Sequence, residues 1–417
     1  MGFLDRFFGG VPDEKSFATL VIEHMKKSGE ARPITFEPQR FQLVVGDPGG
    51  AVNILFLGNA YEEFKALPKK DRNRVFQRYA PEEYTNVDAF DDKGAAARSL
   101  LPRIRDRLYA STLGLRTRQQ FGDQLLKGSD TLPTLPHRPV GDVLAASLCI
   151  DLPTTVIDCL DQNYTRWKSS IDELWPVALE NLRSISKKPF KQVAPGVFVS
   201  PYSDSHDPAR LLLPELFVNL PIKGAPVAGV PNRNTLIVTG ADDAAGLDEF
   251  VTLMKMGLKD PRTVSSMPLI LTDAGWAPFE RTRTDSVGKE LSILAAQSRL
   301  SLNDGQKETL EAEHQRIGRD VFVASYKAVM SKAGEVISYS TWTKDVETLL
   351  PKTRDLMFVV LLDESPENPE VIRVPWEVAV RVVGHRMKQE AGVWPERWLV
   401  ESFPSEAELT ALRVAAT

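Results

Sequence analysis

Phe41-Gln-Leu-Val-Val-Gly-Asp-Pro-Gly-Gly-Ala-Val-Asn-Ile-Leu-Phe-Leu57 holds two short apolar runs, Phe41 to Val45 and Val52 to Leu57, on either side of Asp47-Pro48-Gly49-Gly50. Pro presets φ for a turn and Gly accepts positive φ, so the stretch predicts an antiparallel β-hairpin, because so short a connection cannot join parallel strands. Upstream, Pro12-Asp13-Glu14 supplies a cap and an acidic first turn, and Phe17, Leu20, Val21 and Met25 recur at helical spacing. Downstream, Asn59 opens a second helix carrying Tyr61, Phe64 and Leu67, which Pro68 should end or kink. Helix, strand, strand, helix is an α+β order in which helices cover antiparallel hairpins.

The same plan recurs. Val143 to Ile150, a turn at Asp151-Leu152-Pro153, and Thr155 to Leu160 predict a second hairpin. Ser170 and Glu173 match a capping box, with Leu174, Ala178, Leu182 and Ile185 on one helical face behind it. Asp207-Pro208 reads as an N-cap followed by proline in the first turn. Strand signals follow at Val227 to Val230, Leu236 to Val238 and Met267 to Leu271, and Leu247 to Leu258 is an amphipathic helix. Ser286 to Gln315 is polar and helical, and strands are expected at Val321 to Val329, Val336 to Trp342, Met357 to Leu362 and Val371 to Val374. A helix from Pro375 to Gly384 follows, so that Phe358 to Val380 repeats in outline the plan of Phe41 to Phe64.

At 417 residues the chain exceeds what one hydrophobic core usually serves. Leu132-Pro-Thr-Leu-Pro-His-Arg-Pro139 has the stiffness of a connector. Two or three packed modules are expected, divided as an N-terminal helix–hairpin–helix module at 1–128, a central α+β module at 140–285 and a C-terminal α+β module at 286–417.

The 51 basic and 56 acidic side chains are interspersed and sum to a net charge of −5, which gives no field to draw the chain to nucleic acid. No apolar run approaches the ~18 residues that span a bilayer, so stable membrane insertion is not expected. The start places Phe3, Leu4, Phe7 and Phe8 on one helical face, too short to anchor the chain alone. Two cysteines, Cys149 and Cys159, make no disulfide framework and read as inert core residues of a reduced, cytoplasmic protein. The five histidines are scattered, and no metal or other cofactor is implied.

Trp175-Pro-Val-Ala-Leu-Glu-Asn-Leu-Arg183, Asp207-Pro-Ala-Arg-Leu-Leu-Leu213 and Val230-Pro-Asn-Arg-Asn-Thr-Leu-Ile-Val238, in that order, resemble the YtpQ-like family of uncharacterised bacterial proteins. Phe56-Leu57-Gly58-Asn59-Ala60-Tyr61 resembles its amino-terminal part, so the likeness covers roughly residues 13–285. It implies a cytosolic bacterial α+β protein and brings no reaction, ligand or catalytic residue. Position 234 is Asn where that motif more commonly carries Asp.

No nucleophile elbow, SxxK or phosphate-cradling glycine pattern occurs. Asn232-Arg233-Asn234 is the candidate site, because a guanidinium flanked by two amides suits carboxylate or phosphate recognition. The simpler account gives both asparagines to turn geometry and the arginine to a local ion pair. His206 beside Asp207 could act in proton transfer, although capping alone explains the pair. Arg103, Arg105 and Arg107 alternate along a strand and form a second anion candidate or a solvated edge beside the acidic stretch Asp88 to Lys93. Trp376, Trp394 and Trp398 form either a partner anchor or core packing. The sequence therefore points to a non-enzymatic interaction or regulatory protein with an unknown protein partner. Its alternative is an enzyme or small-ligand binder with a dispersed anion site near Arg233.

Overall fold

The computed structural model describes residues 11–46, 53–79, 92–122, 132–152, 156–260, 262–280, 285–332, 334–362 and 365–416. The Phe3–Phe8 face, the Asp47–Gly50 turn and most of the acidic stretch from Asp88 lie outside them. The fold is α+β, in two compact units: Met1–Ser99 with Ile150–Ile157 and Asp260–Arg262, and the remainder.

In the first unit, α1 (Glu14–Lys27) starts where the Asp13 carboxylate accepts the Ser16 N–H at 2.7 Å. The strands β1 (Ile34–Glu37), β2 (Gln42–Val45) and β3 (Asn53–Phe56) form an antiparallel sheet, with Val45 opposite Asn53 as the hairpin requires. Three helices follow: α2 (Gly58–Ala66), α3 (Asn73–Tyr79) and α4 (Lys93–Arg98). Phe17, Met25, Leu43, Leu57, Phe64 and Phe76 meet in one core, with the Phe17 and Phe64 rings 5.1 Å apart. Alternation in the strands and 3.6-residue spacing in the helices aim these side chains at the same volume.

The second unit opens with β4 (Leu100–Asp106) and α5 (Arg107–Phe121), then β5 (His137–Val140) and β6 (Leu144–Asp151), although the last two residues of β6 and the first two of β7 (Val156–Asp158) belong to the first unit. The sheet order is β4-β6-β5, and β7 pairs with β6. The proline-rich stretch is part of this sheet: β5 pairs antiparallel with β6, and Leu135 is buried. Arg103 and Arg105 are not a free anion site, since both face Asp158, at 2.9 and 3.6 Å. Arg107 starts α5, its guanidinium over the Trp394 ring at 4.9 Å.

The helices α6 (Asp161–Trp167) and α7 (Ile171–Ile185) come next, the latter with the Ser170/Glu173 capping box in place. A six-stranded sheet then combines β8 (Lys191–Ala194), β9 (Val197–Val199), β10 (Pro226–Gly229), β11 (Ile237–Gly240), β12 (Leu269–Thr272) and β13 (Gly275–Pro278) in the order β13-β12-β10-β11-β9-β8. Its paired strands are antiparallel. The helix α8 (Ala244–Gly257) buries Leu247, Phe250 and Met254 in the same core as Val227 and Ile237.

The 32-residue α9 (Ser286–Ile317) precedes two four-stranded sheets. They comprise β14 (Phe322–Val323), β15 (Lys327–Met330), β16 (Val336–Thr343), β17 (Thr348–Pro351), β18 (Asp355–Leu362) and β19 (Ser365–Pro375), then α10 (Trp376–Val383), β20 (Met387–Gln389), β21 (Arg397–Val400) and α11 (Glu406–Ala416). The orders are β14-β17-β21-β20 and β15-β16-β18-β19. These sheets are mixed: β14 runs parallel to β17 and β16 parallel to β18, each after a crossover through intervening chain. The pair β18–β19 followed by α10 repeats the hairpin–helix plan of β2, β3 and α2. No helix among the described residues is long and apolar enough to cross a membrane.

Candidate functional site

The loop at 231–235 and the loop at 203–207 meet, as a site near Arg233 would require. What joins them is amide geometry. The Asn232 side chain is buried, donates to the Gly257 carbonyl at 2.9 Å and accepts the Asn234 N–H at 2.9 Å. The Asn234 side-chain oxygen accepts the Ser205 N–H at 3.1 Å and its hydroxyl at 3.3 Å, and the Asn234 carbonyl accepts the Ser203 hydroxyl. Both asparagines serve turn architecture, and Arg233, half-buried between them, has an interaction of its own.

His206 is 3% exposed and occupies the N-cap position of a short 3-10 turn, Asp207–Leu212, one residue earlier than the cap expected at Asp207. The reason is that the Asp207 carboxylate is turned back to accept the Ser203 and Asp204 N–H groups at 3.3 and 3.1 Å. Behind it lies a buried arginine. Arg210 is fully buried, grips Asp204 with two hydrogen bonds of 2.9 and 2.7 Å, donates to the Ser186 hydroxyl at 3.0 Å and stacks 3.7 Å from the Tyr202 ring. Burial works against the Asp204 carboxylate, but the Arg210 contacts outweigh it and hold its pKa below the usual value. Burial pushes the fully buried Asp207 up, and the Asp204 charge adds to that. Ser203 and Ser205 sit at φ +54° and +68°, a left-handed conformation costing L-residues roughly 1–2 kcal/mol each, which these hydrogen bonds offset. The cluster is a pin between loops, in which the Asp204, Asp207, Arg210, Asn232 and Asn234 side chains are committed to hydrogen bonds.

A concave site lies elsewhere in the second unit. A cavity of about 720 Å³ runs along one face of α9, within the range that holds a small ligand. Lys289, Ser292, Ala296, Arg299 and Asn303 line it at spacings of three and four residues, a straight stripe on the helix about 21 Å long at 1.5 Å per residue. Facing them, the buried Tyr326 phenol hydrogen-bonds Ser338, and burial raises its pKa. The Ser338 hydroxyl also accepts the Arg354 N–H at 2.9 Å. At the far end Trp394, Pro395 and Glu396 are held by a Gln306 amide that donates to the Pro395 carbonyl at 2.6 Å.

The charges on this wall are unequal in their commitments. Arg299 pairs with Glu280, Arg354 with Glu335 at 3.3 Å, and Asp142 with Arg107 at 3.7 Å. Lys289, Lys352 and Glu396 form no ion pair among the described residues. Lys352 and Glu396 flank the Pro351–Arg397 strand pair, so these two opposite charges belong to one end. Lys289 stands at the other, its ammonium laid over Gly334, where a Cβ would come within 3.0 Å of Nζ. Gly334 has φ +80°, so glycine both makes the turn and leaves the space.

No family model matches this chain, and no curated protein or solved structure does so either. Neither His206 nor Asn232, Arg233 and Asn234 line the α9 cavity. Its cations come from α9 and the connection after β17, segments that carry no local motif. The α9 stripe was present in the sequence only as a run of polar residues at helical spacing. Trp376 is buried, Trp398 packs on the same core and Trp394 lines the cavity. The two cysteines are buried, and burial pushes the Cys159 thiol up to about 12, away from reactivity.

Proposed function

We propose that this is a non-enzymatic binding protein that holds a small anionic ligand, a carboxylate or phosphate, in the α9 cavity, with Lys289 as the anchoring cation. The observation that carries it is the contrast on one wall: each arginine has a carboxylate partner, while the Lys289 ammonium has none among the described residues and stands at the end away from Glu396. A cation held beside a concave surface with hydroxyls opposite it is the arrangement that captures an oxyanion. The described lining contains neither His nor Cys, and the Ser292 and Thr353 hydroxyls donate to the Gly288 and Asp355 carbonyls rather than to a base. Binding without turnover fits this wall, and a cytoplasmic protein related to the YtpQ-like family, without affinity for nucleic acid, is part of the same proposal. Calorimetric titration with inorganic phosphate and with citrate, on the parent and on Lys289→Ala, tests it. The proposal expects at least a tenfold weaker Kd in the variant, about 1.4 kcal/mol. Equal affinity in the two proteins would remove Lys289 from the site.

A further inference from the structure

A second concavity, of about 660 Å³, lies at the C-terminal end of α9, where β14 runs beside β17. Its walls are neighbours, since the Phe322 N–H donates to the Glu347 carbonyl at 2.9 Å. Two apolar side chains stand out from it, Phe322 at 53% and Val346 at 40% exposure. Around them are the carboxylates of Asp320, Asp345 and Glu347, none in an ion pair among the described residues. The neighbouring charges are already committed: Arg319 is bound by Glu390 at 2.7 Å, with Glu347 adding a weaker attraction, and Glu311 is bound at 3.5 Å by Lys307, whose ammonium also lies 5.2 Å from the centre of the Phe322 ring.

We infer that this groove docks a protein partner through a basic peptide segment whose lysine or arginine side chains flank an apolar residue. Exposed apolar groups in a groove, ringed by one sign of unmatched charge, select a partner of opposite charge and similar apolar content. A metal ion does not fit, because no cluster of His, Cys, Asp and Glu among the described residues has metal-holding geometry. A small free cation does not fit either, because it would leave Phe322 and Val346 in water. The docking face is independent of the α9 cavity and of the ligand proposed there.

The probe is a fluorescein-labelled octapeptide of alternating Lys and Leu, followed by fluorescence anisotropy, with Lys/Ser and Glu/Leu octapeptides as controls. The docking proposal expects the Lys/Leu peptide to bind at least tenfold tighter than either control. The triple variant Asp320→Asn, Asp345→Asn, Glu347→Gln should lose at least tenfold, and Asn suits position 345 because its φ is +61°. Phe322→Ser and Val346→Ser, both at exposed positions, should each lose several-fold. A control triple on exposed residues elsewhere, Asp248→Asn, Glu377→Gln, Glu401→Gln, removes the same charge and should change binding less than twofold. Equal losses in the two triples, equal binding of the Lys/Ser peptide, no effect of either apolar substitution, or no binding of the Lys/Leu peptide would each overturn the proposal. Unfolding curves of every variant are measured alongside, so that loss of fold is not read as loss of docking.

Discussion

Replacing Arg397 by Met should destabilise the protein by about 3 kcal/mol, although no carboxylate is lost from a partner. Arg397 is fully buried at the start of β21. Its guanidinium donates to the Gln306 side-chain oxygen at 2.7 Å and to the carbonyls of Ala324, Leu349 and Asn303 at 2.5, 3.2 and 3.3 Å, tying α9 to the sheet of β14, β17 and β21. Burial lowers its pKa from the ordinary guanidinium value to about 10, which at roughly 1.36 kcal/mol per pH unit is a penalty of about 3 kcal/mol on the charged form. Charge-assisted hydrogen bonds are worth roughly 1.5–3 kcal/mol each, so these four gain about 6 kcal/mol even at the low end. Met relieves the penalty and fills most of the volume but removes all four hydrogen bonds; the Leu349 carbonyl keeps the Ala324 N–H at 3.1 Å, while the Gln306 side-chain oxygen and the Ala324 carbonyl lose this donor, hence the net loss of about 3 kcal/mol. The difference should be flat from pH 6 to 9, because the folded-state pKa of about 10 keeps Arg397 protonated throughout, and the penalty is relieved only as pH rises through that value. Urea unfolding of the parent and of Arg397→Met, followed by tryptophan fluorescence, gives the number. A variant within 0.5 kcal/mol of the parent, or more stable, would show that the desolvation cost outweighs the hydrogen bonds, as for some buried charges.

Asp204→Asn should cost about 2 kcal/mol at pH 7, less than the 3–5 kcal/mol of a fully buried pair because the Asp204 side chain is 32% exposed. Its folded pKa lies below the unfolded value, so the stability it supplies is complete above that value, and in urea titrations the difference should shrink as pH falls below about 4. Asn234→Ala should lose about 1–2 kcal/mol in the same assay by leaving the Ser205 N–H and hydroxyl without their acceptor. Gly334→Ala should be strained at φ +80° and push the Lys289 side chain aside, since the new Cβ would lie 2.7 Å from Lys289 Cε, so phosphate titration should show weakened binding. Arg233→Ala should leave that binding within twofold of the parent.

The first hairpin was legible because turn residues and alternation are local: Gln42–Val45 against Asn53–Phe56 follows from seventeen consecutive residues. The capping box at Ser170 and Glu173 was legible for the same reason. Parallel pairing of β16 with β18 was not, because it depends on where the chain returns after a crossover. Among the candidate site residues, Asn234 and the Ser203–Asp207 loop do meet, yet the side chain that organises the loop is Arg210, which the sequence offered only inside a Leu-rich stretch. An arginine's role depends on which carboxylate reaches it, and Asp204 is distinguished from its neighbours only by the turn that φ +54° at Ser203 and +68° at Ser205 creates. The α9 cavity draws its lining from segments more than 200 residues apart in the chain, Asp142 and Glu396 among them, and no periodicity records that convergence.

Where an oxyanion sits decides most directly between the α9 cavity and every other surface. Crystals soaked in selenate, with data collected at the selenium edge, place the anion by its anomalous scattering. The account predicts a peak inside the α9 cavity, about 3 Å from Lys289 Nζ, that disappears in Lys289→Ala crystals. Peaks confined to other surfaces, beside Arg233 for instance, with the cavity empty in parent and variant alike, would contradict it.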